Sequence, residues 1–203
     1  MLDLLVHLGD HLLLTICALG AALAIGLPAG VAIARFPRLR PLTLGAIGIA
    51  RVIPSLAVLA LMIPLVGIGV FPAVIALALL AIPPIAINTQ LGLLSVPAEI
   101  VDAARGLGMS ERQVRRRVVW PLALPIVFAG IRTAAVEVIA SASLAAFIGG
   151  GGLGEFIIDG LASNDQATLL EGAICVSVLA LAAQGLLGFI ERRLTARAQG
   201  LPA

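Results

Sequence analysis

Lysine and tyrosine are absent from the 203-residue chain, tryptophan occurs once, and charged residues make up only 12%. Each shortage excludes a class of function. Without lysine no GxxxxGK(S/T) loop can form, so the glycine run Gly149–Gly152, followed by Leu153 and Gly154, does not bind ATP in that fashion. A composition 61% hydrophobic, with a mean hydropathy of +1.14, excludes an ordinary soluble domain. All 13 basic residues are arginine and the net charge is only +2, which leaves no pervasive basic surface for nucleic acid. The two cysteines, Cys17 and Cys175, fall in apolar runs with no CxxC pair, where a thiol acts as a small hydrophobe. His7 and His11 have the i, i+4 spacing of a metal pair, but no third ligand accompanies them, and an interfacial amphipathic turn suits them better. Residues 1–11 carry no basic residue, so the positive start of a signal peptide is missing.

What is present is apolar length, the mark of an all-α, multi-pass membrane protein. Leu12–Ala34 is uncharged and long enough to cross a hydrocarbon core of ~30 Å. Within it Gly26 and Gly30 give a GxxxG spacing around Pro28, open both to close helix packing and to chance in a glycine-rich chain. From Val52 to Ala98 there is no charge, which is too long for one helix, and GIGVFP at 67–72 divides it. The second span is then expected to begin near Leu42, leaving Arg51 at or within the inner boundary, and a third to run from about Ala73 to Leu94. Pro83 and Pro84 predict a kink or break in that third span, followed by the polar cluster Asn88, Thr89 and Gln90 facing the bundle interior. A fourth span, from about Leu122 to Ile148, holds Arg132 and Glu137, and a fifth runs from about Ala167 to Ile190. A charge at midplane costs ~3 kcal/mol, so both must face protein or water. At i, i+5 they do not pair directly, and Arg132 is expected to snorkel; Glu137 and Ser141 share a face. Arginines follow the first, third and fifth spans and are missing from the other ends, where Asp3, Asp10, Glu155, Asp159 and Asp165 lie. The positive-inside rule therefore predicts five transmembrane helices, an extracytoplasmic N-terminal segment at 1–11 and a cytoplasmic tail at 191–203.

The long polar interruption is Pro97–Pro121. Pro97 suits a helix start, Gly106 and Gly108 stop that helix, and Ser110 with Gln113 opens a second by a capping box. Ala103, Ala104 and Gly108 would let another protein approach the backbone closely, with Glu99 and Asp102 offering charge. A basic loop on anionic lipid accounts for Arg112, Arg115, Arg116 and Arg117 but not for the small residues.

The spacing Asp102-Ala103-Ala104, three residues, Gly108, nine residues, Val118, one residue, Trp120-Pro121 resembles the EAA motif of ABC importer permeases. There the pattern is Glu-Ala-Ala, three residues, Gly, nine residues, Ile, one residue, Leu-Pro; Asp102, Val118 and Trp120 are the departures. Ile53–Ala57, Gly67-Ile68-Gly69, Asn88-Thr89, Gly130–Thr133 and Phe147–Gly149 with Gly152–Gly154 are similar to permeases of osmoprotectant importers for glycine betaine, carnitine and choline, a likeness covering roughly 12–190. The resemblance implies a type I ABC importer permease fold over 12–190 in a bacterial cytoplasmic (inner) membrane. It implies a second permease copy or sister permease, an ABC ATPase dimer carrying the ATP and Mg, and an extracytoplasmic substrate-binding protein. Glu99, Asp102, Ala103, Ala104, Gly108 and Pro121 then form the ATPase-coupling segment, and Arg51, Ser55, Asn88, Thr89, Glu137 and Ser141 are translocation-pathway candidates. No catalytic residue, metal ligand or nucleic-acid contact is implied. The same architecture also carries methionine, other amino acids or alkylsulfonates, and a stand-alone channel or secondary carrier is the remaining class. With no Tyr, Trp120 at the elbow and six scattered Phe, the chain cannot readily build an aromatic cage for quaternary ammonium, so tight selection is expected to reside in the binding protein.

Overall fold

The computed structural model describes residues 2–41, 45, 48 and 52–198. These residues form helices and turns, with no strand among them. The chain opens with α1 (Leu2–Arg35), one unbroken helix that absorbs the expected N-terminal segment and continues through Pro28. A 3-10 turn at Pro37–Leu39 follows, and Arg40, Pro41, Gly45 and Gly48 are helical. Arg51 lies outside the described residues.

The expected second span differs in form. Val52–Pro54 is a turn, and the helix α2 occupies only Ser55–Val66. Pro54 explains the late start: it disfavours helix at the residue before it and supplies no N–H to a preceding turn. Twelve residues reach ~18 Å, short of a bilayer core. Four described helices are long and apolar enough to cross a membrane.

α3 (Val70–Leu94) starts after Gly69 and continues through Pro83 and Pro84, so of the expected kink or break there is no break. It is the centre of the bundle, packed between α1 and α6 (Trp120–Ala145). In lipid, helices gain little by burying large apolar groups and associate instead through close contact of small ones. Ala18 and Ala22 of α1, Ala76 and Ala81 of α3, and Ala134 and Ala142 of α6 accordingly form the buried cluster. Leu61, Leu65, Leu181 and Leu186 point outward.

Between α3 and α6 lie α4 (Ala98–Gly106) and α5 (Glu111–Val114), the latter joined to α6 by a π-helical turn, Arg115–Val119. After α6, a 3-10 turn and the glycine run lead to α7 (Gly154–Ala162), a short helix carrying Glu155 and Asp159. α8 (Gln166–Ala198) closes the chain. Asp165 caps it, accepting from the Ala167 N–H at 3.0 Å and the Thr168 hydroxyl at 2.6 Å, and these bonds hold its carboxyl below the usual range.

Candidate functional site

A cavity of about 230 Å³ opens where α2, α3 and α6 meet, lined by Pro54, Ser55, Leu80, Pro83, Glu137 and Ser141 among others. Its polarity comes from backbone as much as side chain. Pro54 offers no side-chain cap to α2, so the first amides of that helix, its positive end, border the space. Pro84 has no N–H, so the Leu80 carbonyl loses its i+4 donor. Glu137 and Ser141, one turn apart on α6, face the same cavity, and Ser141 is only 8% exposed. Donors, acceptors and a carboxylate thus converge in an apolar bundle, an arrangement that can hydrate a small polar or zwitterionic solute.

Asn88 and Thr89 lie elsewhere. Asn88 donates its amide to the Pro84 carbonyl at 2.8 Å and packs against Gly130 of α6. Thr89 is fully buried against Gly30 of α1, where a Cβ on Gly30 would sit 2.5 Å from the Thr89 Cβ. Gly26 likewise faces Ile85, at 2.9 Å from its Cγ2, so the GxxxG pair is a packing seam between α1 and α3. Gln90 is buried beside them, and neither its Oε1 nor the Thr89 hydroxyl has a partner among the described residues.

The polar elbow keeps the local geometry its sequence specifies. The Ser110 Oγ accepts from the Gln113 N–H at 3.4 Å, and the Ser110 N–H donates to the Gln113 Oε1 at 2.8 Å. Gly108 takes φ +80°, a left-handed turn that a β-carbon would strain. Arg105 ties the elbow together, donating to Asp102 at 3.0 Å, an i, i+3 pair that spacing signals, and to Glu111 across the turn at 2.8 Å, which spacing does not. The guanidinium beside it holds the Glu111 carboxyl below its usual range. Glu99, Asp102 and Ala103 are exposed, whereas Ala104 is 6% exposed and turned inward. Pro121 stands in the first turn of α6.

At the opposite end, His7 and His11 serve packing. His7 contacts the Asp3 carbonyl through Nδ1 and Glu155 of α7 through Nε2, both at 2.7 Å. His11, fully buried, meets the Ile139 carbonyl at 3.1 Å. No group of three metal-ligating side chains occurs among the described residues. Arg132, expected to snorkel, reaches Glu191 of α8 at 3.1 Å.

This fold is that of ABC importer membrane subunits. It matches a chain of the MetNI methionine ABC transporter in an inward-facing conformation with a TM-score of 0.83, at 24% identity over 96% of this chain and 97% of that one. It also matches a chain of an amino acid ABC transporter solved with histidines, at a TM-score of 0.73 and 23% identity over 94% and 92%. The chain belongs to the family of binding-protein-dependent transport system inner membrane components, whose model matches residues 23–196. Among named relatives, the carnitine transport permease protein OpuCB of Listeria monocytogenes is 40% identical over 97% of this chain and 90% of its own. The osmoprotectant import permease protein OsmW of Salmonella typhimurium is 42% identical over 92% and 89%. The glycine betaine/carnitine/choline permease OpuCB of Bacillus subtilis is 38% identical over 95% and 89%. The protein is thus a permease subunit of an ABC importer in the inner membrane.

Proposed function

We propose that this permease imports quaternary-amine osmoprotectants of the glycine betaine, carnitine and choline type. The observation that carries the reading is identity of 36–42% with permeases so named, extending over at least 92% of the chain in the leading relatives. The chain crosses the membrane five times, N-terminus outside and C-terminus cytoplasmic. It pairs with a second copy or a sister permease, rests on two ATPase subunits that bind the ATP and Mg, and receives solute from an extracytoplasmic binding protein.

The pathway runs past Ser55, Glu137 and Ser141, and Arg51, Asn88 and Thr89 are its further candidates. Glu99, Asp102 and Ala103 present the ATPase-coupling face; Ala104, Gly108 and Pro121 set its shape. The test is uptake in cells lacking other osmoprotectant systems, with the partner ATPase and binding protein co-expressed. Labelled glycine betaine, carnitine or choline should accumulate and compete with one another. Uptake of methionine and not of the quaternary amines would establish the amino-acid reading. Uptake without the ATPase would establish a carrier.

A further inference from the structure

A second cavity, of about 500 Å³, lies at the elbow end of the bundle and shares no lining residue with the first. Its walls come from the last turn of α1 (Val31, Arg35), the last turn of α3 (Leu93) and the stretch leading into α6 (Arg115, Val119, Trp120). Two features set it apart from a lipid-facing crevice. The first is an excess of guanidinium over carboxylate. Among the described residues Arg35 makes no ion pair and only overlies the Phe36 ring, at 5.8 Å, while Arg115 is attracted to Glu111 without a close ion pair. The one acid lining the groove, Glu111, is already held by Arg105 at 2.8 and 3.3 Å. Arg105 is shared with Asp102, at 3.0 Å, and the groove lining itself holds two guanidinium groups to one carboxylate.

The second feature is the layering of the walls. The guanidinium groups are exposed, while Val31, Leu93 and Val119 are half-buried apolar residues, and half-buried Trp120 lines the groove with them. Tryptophan is the aromatic side chain that settles at the boundary of head group and acyl chain. A ligand that satisfies such a groove carries a phosphate at one end and methylenes at the other.

We propose that this groove holds an anionic phospholipid, its phosphate between Arg35 and Arg115 and its acyl chain along Val31, Leu93 and Val119. The lipid ties the end of α1 to the entrance of α6, so it braces the elbow independently of which solute crosses. A basic cleft between transmembrane helices recognises anionic head groups by this chemistry, charge neutralisation at the surface and apolar burial below it.

Trp120 is the only tryptophan in the chain and serves as the reporter. The full-length permease is reconstituted into phosphatidylcholine vesicles containing either brominated phosphatidylglycerol or brominated phosphatidylcholine at equal mole fraction, and Trp120 emission is followed. Brominated phosphatidylglycerol should half-quench at a mole fraction about 25-fold lower than brominated phosphatidylcholine, since each of the two arginines near the surface contributes about a factor of five. R35Q/R115Q should abolish that preference and R35K/R115K should keep most of it. If the glutamine variant does not fold, the comparison of the two lipids on the native chain and the lysine variant still decides. Equal quenching by both lipids would make the groove ordinary bilayer contact and overturn the proposal. So would loss of quenching when the ATPase subunit is added, which would assign the groove to protein.

Discussion

Replacing Gly30 with alanine tests whether the α1–α3 seam is as close as it stands here. A Cβ on Gly30 would lie 2.6 Å from the Ala86 carbonyl oxygen and 2.5 Å from the Thr89 Cβ. Since 3.4 Å marks the start of ordinary contact, α1 and α3 must part by about 0.8 Å, and neither obstacle is the far end of a flexible side chain. Overpacking of this kind costs about 1–3 kcal/mol. Gly20, on the same helix, has nothing within 4 Å of its would-be Cβ, so alanine there gains the roughly 0.5–1 kcal/mol of helix propensity that glycine forfeits. The two substitutions are chemically identical and differ only in what faces them. In a thermal unfolding series on detergent-solubilised protein, Gly30→Ala should lower the midpoint by roughly 2–12 °C and Gly20→Ala should leave it unchanged or raise it slightly. Equal shifts of the same sign at both positions would refute the close seam, because backbone entropy alone would then explain them.

Other substitutions probe the remaining parts. Ala103→Arg should abolish uptake while leaving insertion intact, because Ala103 is exposed on the proposed coupling face; normal uptake with normal ATPase association would remove that face from consideration. Glu137→Gln should lower transport of choline more than of glycine betaine, a cation depending more on the cavity carboxylate than a zwitterion does, and equal loss of both would make Glu137 structural. With Cys17 and Cys175 replaced, cysteines at Ser163 and Thr195 should label from opposite sides of the membrane, and labelling of both from outside would end the five-span topology. The Arg105–Glu111 bridge gives a pH test. Because the Glu111 carboxyl is held below its ordinary 4.5, the bridge is fully present above that value and is lost as pH falls through the lower folded value. Exchange protection of the Ser110–Gln113 amides, corrected for intrinsic rates, should therefore be flat from neutral pH down to about 5 and fall only in stronger acid; a fall near neutrality would mean another group controls the elbow.

Features that local chemistry settles were legible in the sequence, and those set by packing across the bundle were not. The Ser110–Gln113 capping box and the helix stop at Gly106–Gly108 depend on groups within four residues of each other, and both stand where spacing put them. The extents of α3, α6 and α8 follow from apolar length with few charges. The Arg132–Glu191 pair joins groups on different helices, and no rule of spacing connects them. The burial of Ala104 was equally hidden, since an alanine reads the same on a docking face and against its own chain. The late start of α2 did have a signal, Pro54, although a span of full length would have to run across it.

The polar residues of the bundle show why a site is harder to read than a fold. Asn88, Thr89, Glu137 and Ser141 carry the same signal, a polar side chain in an apolar run, and from sequence all four were pathway candidates. Their surroundings separate them. Thr89 meets Gly30 and Asn88 meets Gly130, so each fills the space a missing side chain leaves and the helices close over it. Glu137 and Ser141 face the ends of broken or proline-interrupted backbone at Pro54–Ser55 and Leu80, where amides and carbonyls lacking helical partners keep the helices apart. A polar side chain opposite glycine becomes part of a seam, and one opposite unpaired backbone becomes the wall of a cavity. That distinction lies in the neighbouring helix, and helical spacing within one segment cannot supply it.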